Sequence, residues 1–207
     1  MSKKLRKATF LAVFFWVFYS LISGLSFAGS ETPKSGGTFK VAMDAEFPTL
    51  DCMMSSTDAP FHIGGHIFES LVQYLTADGK LGPELADSWK VSNDNLKFTF
   101  KLRKGVRFHN GSELTSEDVL ASVERWLKYG ARGGIARPYV DRLSTPDKYT
   151  FEIYLKEPYA PLLSLLGFGN GGPVIIPASI AGNKYCLSTS SPIIPRVLVP
   201  YIVLLKA

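Results

Sequence analysis

The chain has 207 residues, 46% hydrophobic and 20% charged, with only two cysteines, which excludes a disordered, collagenous or disulfide-dense protein. Its net charge of +5 comes from 23 basic against 18 acidic residues, and four of the basic ones, Lys3, Lys4, Arg6 and Lys7, sit at the N-terminus without an acidic neighbour. Removing the first 28 residues leaves 19 basic against 18 acidic residues, a charge of +1, so there is no electrostatic case for nucleic acid.

That first segment, "MSKKLRKATFLAVFFWVFYSLISGLSFA", has a basic start, an apolar middle and small residues at Ser26 and Ala28, the pattern of a secretory signal peptide cut after Ala28. A membrane anchor is the competing reading; the dense apolar core runs only from Phe10 to Tyr19 and favours cleavage. Residues 29–37 read as a flexible leader. "TFKVAMD" is then a first strand, followed by a long loop to Pro60. In "FHIGGHIFESLVQYL" the spacing of Ile63, Ile67, Leu71 and Tyr74 predicts an amphipathic helix weakened at Gly64 and Gly65.

Leu96, Phe98, Phe100 and Leu102 alternate with polar residues, and the turn formers "SNDN" precede them, so Trp89 to Val91 and Leu96 to Arg103 are expected to form a hairpin. Thr115 is the expected N-cap of a helix with Glu117 and Asp118 in its first turn, an apolar stripe of Val119, Val123, Trp126 and Leu127, and a stop at Gly130. "ARGGIARP" reads as a Gly-rich loop. Tyr149, Phe151, Ile153 and Leu155 mark another alternating strand, and "LLSLLGF" a short apolar helix before "GNGG" and "PVIIP". The class is α+β, a mixed sheet with hairpins and short helices and no repeated strand-helix unit. Cys52 and Cys186 could pair in an oxidising compartment, and the sequence leaves that open.

The stretch "LGPELADSWKVSNDNLKFTFKLRKGVRFHNGSELTSEDVLASVERW" resembles the signature region of the family 5 extracellular solute-binding proteins, the peptide, nickel and related receptors of ABC importers. The features that match in order are Pro83, Glu84, Leu85 and Ala86 before Ser88 and Trp89; the alternating strand; Leu102 to Val106 with Phe108; Gly111; then Thr115, Glu117 to Val119, Ser122 and Arg125. The likeness extends over roughly residues 36–181. It implies the N-terminal lobe of a two-lobed periplasmic binding protein of the type II-like kind, monomeric, exported, without cofactor, that takes a peptide or similar small solute to the transmembrane subunits of an ABC permease. The signature itself is then scaffold.

The resemblance implies that ligand meets this lobe at three loops, around residues 56–62, 132–135 and 169–171. The candidate ligand-binding residues are Asp58, Phe61, His62, Arg132, Ile135, Gly169 and Asn170, with Asp58 meeting an amine, Phe61 an apolar group and Asn170 a peptide-like backbone. His62 and His66, with Glu69 beyond, would face one metal if the helix ran through them, and some members of the family handle nickel; the Gly-Gly pair argues against a site, and none is assigned. The different-class alternative is a secreted hydrolase built on paired carboxylates, Asp44 with Glu46 or Glu113 with Glu117 and Asp118, although turns and caps explain these and no nucleophile elbow, zinc motif or phosphate loop is present.

Family chains run on from "IIP" into a stretch close to "GTGPY", whereas this one continues "GNKYCLSTSSPIIPRVLVPYIVLLKA", with no acidic residue after Asn183. The expectation is that residues 38–182 are a partial first lobe and that a frameshift or premature stop has put an unrelated apolar tail, 183–207, in place of the second, leaving weak or no binding or a non-functional remnant.

Overall fold

The computed structural model describes residues 51–55, 58–75, 79–168 and 171–183. The expected signal segment, leader, first strand and apolar tail beyond Asn183, with Cys186, Asp44 and Glu46, lie outside the described residues. All described residues fall in one compact unit.

Helix α1 spans Asp58–Gly64. The helix expected from Phe61 to Leu75 is therefore largely absent: it begins earlier, stops at Gly64, and residues Val72–Tyr74 form strand β1. The reason is local and tertiary at once. Gly64 lies directly on the Cys52 sulfur, with no room for a Cβ, while Val72 is a β-branched residue paired on both sides, with Pro83 of β2 (Leu81–Pro83) and with Gly167 of β7 (Gly167–Phe168). The resulting sheet has the order β2-β1-β7, antiparallel on one side and parallel on the other.

The predicted hairpin is present as β3 (Ala86–Val91) and β4 (Lys97–Leu102), closed by a turn in which Asn95 adopts a φ of 59°, a conformation asparagine tolerates. β6 (Thr150–Leu155) pairs with β4, and a strand the sequence did not announce, β5 (Val140–Asp147), pairs with β6, giving an antiparallel sheet ordered β3-β4-β6-β5. Phe98, Phe100, Leu102, Phe151, Ile153 and Leu155 make its buried face, with Phe100 directly opposite Phe151 and their rings 6.3 Å apart. Burying each such side chain contributes about 1.5–3 kcal/mol.

Helix α2, Ser116–Tyr129, packs on β5 and β6 through Val119, Val123, Trp126 and Leu127, the stripe read from its sequence. At its start the Asp118 carboxylate accepts the Thr115 N–H and hydroxyl, both at 2.9 Å, and Gly130 ends it. "ARGGIARP" is more ordered than a loop: it holds a one-turn helix α3, Gly133–Ala136. The short apolar helix appears as α4, Leu162–Leu165, and a further turn, α5, Ala178–Ala181, follows Pro177.

Candidate functional site

The site begins with a tryptophan. Trp126 is wholly buried, and its Nε1–H donates to the Gly171 carbonyl at 2.8 Å. Three glycines close around it. A Cβ on Gly130 would sit 2.6 Å from the indole Cδ1, and one on Gly133 would run into the Trp126 carbonyl. Gly171, at a φ of +72°, lets the chain turn where its carbonyl meets the indole. Because those positions lack side chains, the 130–136 segment and the chain at 171–172 can both lie against α2.

Two of the expected ligand loops are thereby brought together. The Arg132 side chain lies over Gly171, where an added Cβ would be 3.0 Å from Arg132 Cδ. The third is tied in from below: the Ala131 N–H donates to the Met53 carbonyl at 2.9 Å, and the Cys52 thiol donates to the Pro60 carbonyl in α1 at 3.1 Å. Ile135 is exposed by 53%, Arg132 and Phe61 are half-buried, and His62 is exposed in the last turn of α1. Asp58 opens α1. Gly169 and Asn170 lie outside the described residues. Two cavities, of about 340 and 550 Å³, are lined by other parts of the chain.

Beneath the loops is a feature that reading by element missed, a buried ion pair between Arg125 and Asp51. The guanidinium grips the carboxylate with both terminal nitrogens, Nη1 to Oδ1 at 3.2 Å and Nη2 to Oδ2, and the two side chains are 1% and 2% exposed. The same group reaches the Met53 and Met54 sulfurs and, through Nε, the Asn183 carbonyl at 3.3 Å. Burial, reinforced by the neighbouring Asp51 charge, pushes the Cys52 thiol up to about 12, so it stays protonated and serves as a donor. The available signal was that Arg125, a charge on the same helix as the apolar stripe, closes the ordered set of matching residues.

Asp118, Ser122 and Arg125 recur at helical spacing on one side of α2 and all grip the returning chain. Asp118 Oδ1 accepts the Ala178 N–H at 2.8 Å, Ser122 accepts the Ile176 N–H at 3.0 Å and donates to its carbonyl, and Arg125 holds Asn183. The carboxylates considered for hydrolysis are likewise engaged: Glu117 accepts from Thr145 at 2.8 Å, and Glu113 accepts from Lys148 at 2.8 Å and from Tyr149 at 2.6 Å. Lys148 and Tyr149 hold the Glu113 carboxyl down at about 2, the wrong direction for a general acid. Because α1 ends at Gly64, His62 and His66 do not share a helix face, which removes the geometry the metal reading required; no cluster of three metal-ligating side chains occurs among the described residues.

Two small sheets that meet through β2 and β3, a capped helix packed on the larger one, and loops gathered on the buried tryptophan of that helix define one lobe of a periplasmic-type binding protein. The model of the bacterial extracellular solute-binding proteins, family 5 (middle region) matches residues 80–185, just over half the chain. The chain belongs to that family. It is 32% identical over 163 residues to the "Probable D,D-dipeptide-binding periplasmic protein DdpA" of Escherichia coli, an alignment covering 76% of this chain and 31% of that protein. It is 31% identical over 189 residues to the Di/tripeptide-binding protein 2 of Pseudomonas aeruginosa, with coverages of 80% and 34%. Among solved structures, the binding protein AgaA of A. tumefaciens in complex with agropinic acid superposes with a TM-score of 0.62 at 33% identity, covering 71% of this chain and 30% of that one. The chain thus spans about a third of the length of these relatives.

Proposed function

We propose that this chain supplies one wall of a solute cleft in the substrate-binding component of an ABC importer, and that the solute is a short peptide or a molecule of similar polarity. The observation that carries this reading is the gathering of the 130–136 and 171–172 segments on Trp126, with Met53 bonded to Ala131 beside them, in a chain whose relatives are named for dipeptide and tripeptide binding. Arg132 supplies a cation for a peptide carboxylate, and Ile135 and Phe61 supply apolar contact for its side chains. The role is capture rather than turnover. The basic, apolar and small-residue pattern of residues 1–28, together with relatives named as periplasmic, supports export to the periplasm with delivery to a membrane permease.

A solute held by one wall gains about half the contacts of a closed cleft, so the chain by itself is expected to bind di- and tripeptides no tighter than roughly millimolar. Titration of an isotopically labelled sample with di- and tripeptides, followed by amide chemical shifts, tests this. Saturable shifts are expected at 61–62, 131–135 and 171–172, and they should be lost in Arg132→Ala or Ile135→Ala with the fold intact. Shifts confined to other surfaces, or none up to tens of millimolar peptide, would refute the assignment.

A further inference from the structure

The Arg125 guanidinium is held by acceptors of unequal strength. Two are the Asp51 carboxylate oxygens and a third is the Asn183 carbonyl, but two more are thioethers: Nη1 lies 3.7 Å from the Met53 Sδ and Nη2 lies 3.9 Å from the Met54 Sδ. A thioether sulfur is a weak acceptor, so a guanidinium taken out of water gains little from it. The two sulfurs also differ in access. Met53 is wholly buried and its contact with Arg125 is buried with it, whereas Met54 is half-buried and its contact lies only partly inside.

That difference decides which of them a peroxide can reach. The sulfur lone pair attacks the peroxide: an S–O bond forms as the O–O bond breaks, water or an alcohol leaves, and two electrons pass from sulfur to the peroxide, giving a sulfoxide. Met54 is open to this step and Met53 is shielded from it. In an apolar core a sulfoxide is an unpaired polar group and disrupts its surroundings. At Met54 it meets a donor already in place. A sulfur 3.9 Å from Nη2 puts an oxygen bonded to it within hydrogen-bond reach of that nitrogen, and the three rotatable bonds of the side chain let the oxygen swing onto it. The weak N–H···S contact is then replaced by a charge-assisted N–H···O bond. We propose that Met54 is a reversible oxidation site whose sulfoxide is bound by Arg125, tightening the clamp that holds the 51–55 segment to α2. Reductases that act on methionine sulfoxide supply the return step. The proposal is independent of which solute the lobe takes.

Dilute hydrogen peroxide on the full chain tests it, with Cys186→Ser as background so that this thiol does not compete. Proteolysis and tandem mass spectrometry are expected to find sulfoxide at Met54 forming at least about tenfold faster than at Met53. In urea unfolding followed by Trp fluorescence, the oxidised protein should have a higher midpoint than the untreated one, and a methionine sulfoxide reductase should bring the midpoint back. Met54→Gln, whose amide oxygen stands where the sulfoxide oxygen would, should raise the midpoint without oxidant. Met54→Leu, which has no sulfur to oxidise, should be unmoved by peroxide. Equal oxidation rates at Met53 and Met54 would overturn the assignment of the site. A midpoint that falls on oxidation or in Met54→Gln, or a rise that persists in peroxide-treated Met54→Leu, would overturn the role given to Arg125.

Discussion

Arg125→Met is the most direct test of how the loop base is held. The substitution removes a guanidinium that is 1% exposed and leaves the Asp51 carboxylate, 2% exposed, without its counter-charge. The Met53 N–H remains 3.3 Å from Asp51 Oδ1, but a neutral donor does not replace a two-pronged cation. Stranding one member of a buried pair costs about 3–5 kcal/mol, a large part of the roughly 5–15 kcal/mol that holds a domain together. The lost Nε contact to Asn183 adds fraying where the chain leaves α5. Adding Asp51→Asn to Arg125→Met removes the stranded charge, and the double variant is expected to recover at least about 1.5 kcal/mol relative to the sum of the two single changes. Urea unfolding of the four proteins, followed by Trp fluorescence, measures this. A loss below about 1 kcal/mol for Arg125→Met, or strict additivity of the two changes, would show that the pair does not fasten the 51–55 segment to α2.

Two further predictions rest on separate features. The Glu84 carboxyl accepts the Ser70 N–H at 2.9 Å, yet burial, with a smaller push from Glu69, raises it from its ordinary 4.5 to about 7. A carboxyl raised on folding favours the folded state fully below pH 4.5, and that contribution is lost as pH rises through 7; discounted for partial exposure, it is about 1–2 kcal/mol. Glu84→Gln, which still accepts from Ser70, should therefore gain about that much on the wild type between pH 4.5 and pH 8 in urea unfolding, and a constant difference across that range would refute the cause. Gly133→Ala should cost about 1–3 kcal/mol because the new methyl meets the Trp126 backbone, while Gly134→Ala next to it, facing open space, should be near neutral; similar melting temperatures for the two would contradict the packing described around Trp126.

Where one physical signal dominated, the sequence was legible. Alternation gave the β3-β4 hairpin and β6, since each strand has one face on the core, and a capping residue with a helical apolar stripe gave α2. The helix expected from Phe61 failed because Ile63, Ile67, Leu71 and Tyr74 satisfy its spacing by coincidence; the Gly64 contact with Cys52 and the two-sided pairing of Val72 decide otherwise, and both depend on chain far away. β5 was invisible because it is a polar edge strand, "VDRLSTPD", with two register shifts and Pro146 near its end, features that blunt an edge and also erase alternation. The loop positions came from family likeness alone. What brings two of them together is the indole of Trp126 and glycines whose role appears only once the loops are folded on it.

The stretch "LRKGVRFHNGSELTSEDV" has no reacting group, and its chemistry is that of attachment. Its basic strand end pairs outward, Arg103 with Asp87 at 3.2 Å, in an exposed contact that contributes little. At its helix start the polar groups are paired: Asp118 takes the Thr115 N–H and hydroxyl and the Ala178 N–H, and Ser116 donates to the Asp147 carbonyl at 2.7 Å. Continuing one and then two turns along α2, Ser122 and Arg125 extend the same polar line, opposite in purpose to the apolar stripe. A stripe of hydrophobic side chains would bury this face as well, but it would accept the returning chain in several registers. Paired donors and acceptors accept one, and the buried Ser122–Ile176 pair decides it, because a slip there leaves a buried group unsatisfied at about 1–3 kcal/mol. A binding lobe needs that single register, since the chain fixed by α2 at 174–183 continues directly from the segment that carries Gly171 to Trp126.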